Sequence, residues 1–126
     1  MAGKFIISTA KNGEFTFNLK ASNGEIILTA SETYPTMAAC ESGIDAVKKN
    51  ALSGVEDQTR GESIAHPKFE IYQDKAGEFR FRLKGGNGEI IGRSESYKAK
   101  ASAKKGIASI GKNAPDAAVV VVEDKK

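Results

Sequence analysis

The sequence predicts an α+β fold: a single domain, 1–126, of two tandem β-β-β-α-β repeats, with an antiparallel sheet and both helices on one of its faces. Three observations predict it. The segment KFIISTAKNGEFTFNLKASNGEII (4–27) realigns on KFEIYQDKAGEFRFRLKGGNGEII (68–91) after a shift of 64 positions. With one residue dropped from the first copy, SETYPTMAACESGIDAVKKNA (31–51) falls on SESYKAKASAKKGIASIGKNA (94–114), and about half of the aligned positions are identical. Within each copy the apolar period changes from two to between three and four, the switch from strand to helix.

Each element has its own signal. In the first strand Phe5 and Ile7 share a face, as do Phe69 and Ile71 in the second copy. A turn follows at Asn12-Gly13, matched by Ala76-Gly77. In the second strand Phe15, Phe17 and Leu19 oppose Thr16, Asn18 and Lys20; in the second copy Phe79, Phe81 and Leu83 oppose Arg80, Arg82 and Lys84. Such alternation marks a half-buried antiparallel strand. Asn23-Gly24 and Asn87-Gly88 are hairpin signals and predict type I′ turns. A third strand begins at Glu25 and again at Glu89. Helices follow, with Met37, Cys40, Ile44 and Val47 on one stripe and Lys100, Ala103, Ile107 and Ile110 on the other. Pro35 suits the start of the first helix, and Asn50 and Asn113 suit the two ends. The closing run of valines, 119–122, reads as a buried strand, with a weaker counterpart in the first copy. The repeats therefore run over 4–57 and 68–124, joined by a linker at about 58–67.

The doubling has a physical purpose. A single copy buries too little to be secure and leaves open sheet edges. Two copies about a pseudo-twofold axis can share one sheet and one core, so an isolated half is expected to be unfolded or to dimerise. Gly43 and Gly106 occupy the same place in the two helices. A glycine there costs about 1 kcal/mol relative to alanine, so close approach of helix to helix or helix to sheet is the expected compensation.

Composition excludes several functions. Charged residues make up 28% of the chain and the net charge is +3, with a sequence pI of about 9.0. That allows weak attraction to polyanions without requiring it. The only cysteine is Cys40 and the only histidine is His66. An intramolecular disulfide and a Cys/His-rich zinc site are thus ruled out. The segment MAGKFIISTA does not read as a secretory leader, and no apolar run approaches the length of a membrane helix. The expected compartment is the cytoplasm, with no membrane partner.

These same segments resemble the YegP-like family of small bacterial proteins. The resemblance rests on NGEFTFNLKASNGEII (12–27) and on SESYKAKASAKKGIASIGKNA (94–114), and it spans residues 4–124. The first helix departs from the pattern with PTMAAC, and the first copy has one extra residue near Thr29. The resemblance implies an α+β fold in which a two-copy member is a monomeric pseudo-dimer with exchanged C-terminal strands. It implies no known activity, and it carries over no catalytic residue and no cofactor.

The leading candidate site is the sheet face opposite the helices. Arg80, Arg82 and Lys84 stand there, joined by Tyr72 and Arg93. An open basic sheet bearing an aromatic suits weak single-stranded nucleic-acid binding, although charge on a solvated strand is also the ordinary arrangement. Lys98, Lys100, Lys104, Lys105 and Lys112 read as a solubilising helix face. Glu14, Glu25, Glu78 and Glu89 lie at hairpins, where cross-strand pairing with lysine is expected. Tyr34 and Tyr97 are expected to clamp the turns into the helices, and Cys40 to be a small buried residue. No nucleophile has a plausible base partner. No catalytic, cofactor-binding or metal-ligating residue is expected. A non-enzymatic binding or assembly protein is the first reading, its partner left open between another protein and a nucleic acid; a weak nucleic-acid-binding module is the alternative.

Overall fold

Alternating apolar side chains lay down strands, and the strands join into one eight-stranded sheet. The computed structural model describes residues 3–122. In chain order the elements are β1 (Lys4–Thr9), β2 (Phe15–Lys20), β3 (Ile26–Ala30), α1 (Met37–Asn50), β4 (Gly54–Asp57), β5 (Lys68–Gln73), β6 (Phe79–Lys84), β7 (Ile90–Arg93), α2 (Lys100–Asn113) and β8 (Ala118–Val121). A short 3-10 turn, Gln58–Arg60, follows β4. Residues 123–124, expected to end the second repeat, lie outside the described residues.

Across the sheet the order is β4-β5-β6-β7-β3-β2-β1-β8. The C-terminal strands are exchanged: β4 of the first repeat borders β5 of the second, and β8 of the second borders β1 of the first. Both edge pairs are parallel, so the sheet is mixed rather than wholly antiparallel. The helix that precedes each edge strand crosses the sheet, α1 over β2 and β7 and α2 over β3 and β6. The edge strand then starts beside the start of the strand it joins, Gly54 at Lys68 and Ala118 at Lys4. At the centre β3 and β7 pair antiparallel through Thr29↔Arg93 and Ala30↔Gly92.

Both helices cover one face, with a single core beneath them. Phe5, Ile7, Phe17 and Leu19 from one repeat and Phe69, Ile71, Phe81 and Leu83 from the other meet Cys40, Ile44, Val47, Ala103, Ile107 and Ile110. Each helix straddles the junction, α1 on β2 and β7, α2 on β3 and β6. Gly43 and Gly106 mark helix-to-sheet contacts. A Cβ at Gly43 would lie 2.5 Å from the Tyr34 hydroxyl, and one at Gly106 would lie 2.8 Å from that of Tyr97. Those tyrosines stack on Phe17 and Phe81, with ring centroids 6.1 Å apart in both cases. Burial, their largest perturbation, raises the pKa of both phenols.

Several local expectations change. Only glycines have positive φ at the hairpins, so the turns are not type I′. The Gly24 amide bonds to the Ala21 carbonyl and the Ala21 amide to the Glu25 carbonyl. This is a tight turn followed by a left-handed glycine, and the Asn23 side chain accepts from the Glu25 amide instead of adopting positive φ itself. The two helices do end at Asn50 and Asn113 as expected, with the side-chain amides donating to the carbonyls of Ala46 and Ser109, four residues back. Glu14 accepts a 2.6 Å bond from the Thr33 hydroxyl and forms no ion pair among the described residues. The valine strand β8 is exposed along its length, because it is the outermost strand of the sheet.

Candidate functional site

Strand register brings the five sequence-predicted residues onto one surface. Tyr72 lies opposite Arg80, Glu70 opposite Arg82 and Lys68 opposite Lys84, while Arg93 lies opposite Arg82 from the other side. All face away from the helices. The charge of this surface is largely answered from within. Glu70 Oε1 lies 2.6 Å from Arg82 Nε, and its Oε2 lies 3.1 Å from Lys68 Nζ and 3.3 Å from Lys84 Nζ. Asp74 holds Arg80 at 2.8 Å. The Arg82 guanidinium sits 4.5 Å from the centre of the Tyr72 ring, a cation–π contact that occupies one face of that ring. Arg93 is exposed and has no ion partner among the described residues.

The anionic half of this network was not foreseen. Glu56 and Glu70 are both buried on the sheet face that alternation assigns to solvent. The linker explains Glu56: the Ile64 amide and the Gln58 side chain both donate to it, and Lys68 Nζ lies at 2.6 Å. The Lys68 bond, supported by those of Gln58 and Ile64, holds the Glu56 carboxyl down at about 2. Burial pushes Glu70 upward, but Arg82 and Lys68 outweigh it and keep its carboxyl below the usual range. Asp57 is also low: burial opposes ionisation, and bonds from Thr59 and Lys100 overcome it. One sequence signal was present. Under the repeat alignment Glu70 falls on Ile6, and the strand pairing sets Glu56 in the place of Val120, so the two repeats differ in charge at two adjacent places.

A second site lies on the helix side. Between α1 and the β6–β7 hairpin is a groove of about 760 Å³. The small side chains of Ala39, Ser42, Gly43 and Ala46 form one wall, and Gly85, Gly86, Ile90 and Ile91 form the other. Lys49, Asn50 and Asn87 add polar groups, and Glu32, Tyr34 and Glu89 also line it. The pseudo-symmetric gap, between α2 and the β2–β3 hairpin, is drawn together by one bond: the Ser22 amide donates to Asn113 Oδ1 at 3.2 Å. Three separate depressions, of about 540, 320 and 370 Å³, lie along that gap, which is divided where the first groove is continuous. Gly86 and Asn50 hold the matching positions and form no such bond, so this groove stays open.

The remaining reactive groups are occupied or isolated. Cys40 is fully buried, and that burial, with Glu41 nearby, raises its thiol pKa. His66 is exposed in the linker. Among the described residues no cluster of three His, Cys, Asp or Glu side chains is arranged to hold a metal ion. No helix there is long and apolar enough to cross a membrane.

Comparison with known proteins places both repeats. The family model for a domain of unknown function, DUF1508, matches twice, at residues 10–56 and 74–120. A UPF0339 protein in the ptx operon 5′ region of Stutzerimonas stutzeri is 45% identical, over 97% of this chain and 98% of its own length. The solution structure of yegP from E. coli, a protein of unknown function, superposes with a TM-score of 0.80 at 34% identity, covering 100% of this chain and 97% of that one. A UPF0339 protein of Treponema denticola is 64% identical over 55 residues, which is 44% of this chain and 95% of the relative, the length of one repeat.

Proposed function

We propose a binding function without covalent chemistry for this chain, which belongs to the DUF1508 family, the YegP-like proteins of unknown function. Several of its ionisable groups are taken up by the fold: Glu56, Asp57, Glu70 and Asp74 are held by cations, and the Cys40 thiol is buried with its pKa raised. The proposed compartment is the cytoplasm, where an unpaired thiol such as Cys40 stays reduced.

The observation that carries the reading is the continuous groove beside its divided twin. In the divided gap a backbone amide donates to Asn113. In the open one Asn50 offers the same acceptor, the Gly86 amide offers a donor, and Ala39, Ala46, Ile90 and Ile91 supply an apolar bed. That combination suits a ligand with an amide group and a small apolar body, such as a short peptide. The volume falls in the usual range for ligand sites.

Titration of the 15N-labelled protein with a set of capped dipeptides tests this. Shifts are expected at Ser42, Gly43 and Gly86, lost in Asn50→Ala and kept in Asn113→Ala. Absence of shifts along the groove with every peptide overturns the reading. The nucleic-acid alternative has one observation in its favour, the gathering of Tyr72, Arg80, Arg82, Lys84 and Arg93 on one surface. It requires shifts there on adding single-stranded RNA, falling steeply with salt and absent from an Arg80→Glu/Arg82→Glu variant.

A further inference from the structure

The two edges of the sheet are pseudo-equivalent strands with opposite treatment. At the β4 edge the outward backbone groups of Asp57 are both taken: its amide donates to Glu62 Oε1 at 3.0 Å, and its carbonyl accepts from the Glu62 amide at 3.3 Å. The linker thereby covers that edge at Asp57, while the other outward residue, Val55, stays exposed. On β8 the position matching Asp57 is Val121. The Val122 amide points inward to the Ile7 carbonyl. Alternation along the strand then sends the amides and carbonyls of Val119 and Val121 outward. They meet no partner among the described residues. Around them Val119, Val120, Val121 and Val122 are 41%, 38%, 51% and 45% exposed. Natural sheets normally shield such an edge with charge, proline or a covering segment, and β8 contains none of these.

We propose that β8 is a pairing edge whose occupant is β8 of a second copy of this chain, in antiparallel register about a twofold axis at Val120. Val119 then faces Val121 of the other copy. Each such pair exchanges two backbone hydrogen bonds, and the axis generates the second pair. Three features favour a second copy over an unrelated strand. The sequence AVVV is its own best antiparallel match, setting β-branched side chains opposite one another. It has no charge to repel itself. Glu62 occupies the Asp57 groups, so β4 of another molecule offers β8 only the outward groups of Val55, one bonding residue against the two of a second β8, and the self-complementary pair closes at two. The sheet already uses this arrangement internally, where the equivalent strands β3 and β7 pair antiparallel at its centre. The proposal departs from the monomer expected from the resemblance, and it is independent of the groove.

Sedimentation velocity of the full chain over a wide concentration range tests it. The small strand interface predicts a weak, concentration-dependent dimer. Val121→Pro removes one outward amide at a place where an edge strand tolerates proline. Val120→Lys leaves the backbone intact and adds the charge that natural edges use. Each variant is expected to raise the dissociation constant about tenfold or more. If a variant loses its native circular dichroism, hydrogen exchange of the unaltered protein decides: the Val119 and Val121 amides should exchange more slowly as concentration rises. A wild-type chain that stays monomeric at the highest concentration overturns the proposal, as it would if the edge served an unrelated strand. A dimer that both folded variants leave unweakened, or Val119 and Val121 exchange indifferent to concentration, overturns it as well.

Discussion

Exchanging the residues at positions 28 and 92 tests whether the two repeats fill one shared interior. The repeat alignment sets Leu28 of β3 on Gly92 of β7, and the register agrees, with Leu28 opposite Leu19 and Gly92 opposite Leu83. Leu28 is fully buried. A Cβ built at Gly92 would lie 2.8 Å from both Cγ and Cδ2 of Leu28. The leucine of one repeat thus occupies the volume that the other leaves empty, at the junction where β3 and β7 meet. Leu28→Gly opens a cavity and places glycine in a strand, at a combined cost of about 3–5 kcal/mol. Gly92→Leu forces a second side chain into filled space, at a cost of about 2–3 kcal/mol. The double exchange returns one leucine and one glycine to the same volume from the other side. Its expected cost is about 1–2 kcal/mol, well below the sum of the single changes, so the coupling is about 3 kcal/mol or more. Urea unfolding followed by far-UV circular dichroism measures all three variants, since the chain has no tryptophan. A double variant whose loss matches that sum to within about 0.5 kcal/mol refutes the shared volume, because independent sites add.

Three further outcomes follow from the ion network and the helix starts. Glu70→Ile, which installs the residue of the first repeat, strands Arg82 and Lys84, leaves Lys68 with Glu56 alone, and is expected to cost about 3 kcal/mol in urea unfolding; adding Arg82→Asn should recover part of it. Glu56 is depressed from 4.5 to about 2, so its stabilisation is whole above its unfolded pKa and is lost as pH falls from about 4.5 through 2; Glu56→Gln should flatten that stretch of the stability–pH curve. The Thr36 side chain caps α1 by accepting from the Ala39 amide, whereas Ala99 leaves α2 without a side-chain cap; Ala99→Thr should stabilise by about 1 kcal/mol, read as a higher denaturation midpoint.

Local patterns were legible from the residues, and properties of the assembled sheet were not. Period-two aromatics gave β2 and β6, and the spacing of Cys40, Ile44 and Val47 gave the buried stripe of α1. The paired glycines announced a close contact, which proved to be with Tyr34 and Tyr97. The valines of β8 carry the same local signal as a core strand, because an edge is a position in the sheet order and leaves no mark on the strand itself. Glu70 alternates onto the solvent side; its burial comes from cations on β5 and β6 and from the linker that comes back over Glu56. Asparagine at the hairpins suggested positive φ, but its side chain bonds the backbone beyond the glycine, which leaves the glycine alone to take the left-handed turn. For the candidate surface, the grouping of Tyr72, Arg80, Arg82, Lys84 and Arg93 could be read from alternation. The groove could not, since its openness turns on one bond present between Ser22 and Asn113 and missing between Gly86 and Asn50.

That missing bond belongs to a wider consequence of fusing two copies. A dimer of identical single repeats must satisfy its axis with the same residue twice, so every contact there is self-complementary. The relative from Treponema denticola, with the length of one repeat, would be under that constraint if it pairs. Fusion removes it. Position by position, the second repeat can give up what the first supplies: glycine beneath leucine at 92 and 28, a buried glutamate at 70 where 6 is isoleucine, an aspartate edge held by Glu62 where its counterpart is an open valine. Of these, only Leu28 and Gly92 touch across the junction, so that pair should fail singly and recover together, whereas Glu70 and Asp57 are answered by cations and by the linker of their own half of the sheet. The groove at Gly86 and the edge at Val121 have no such answer within the described residues, and they are the two places where binding is proposed.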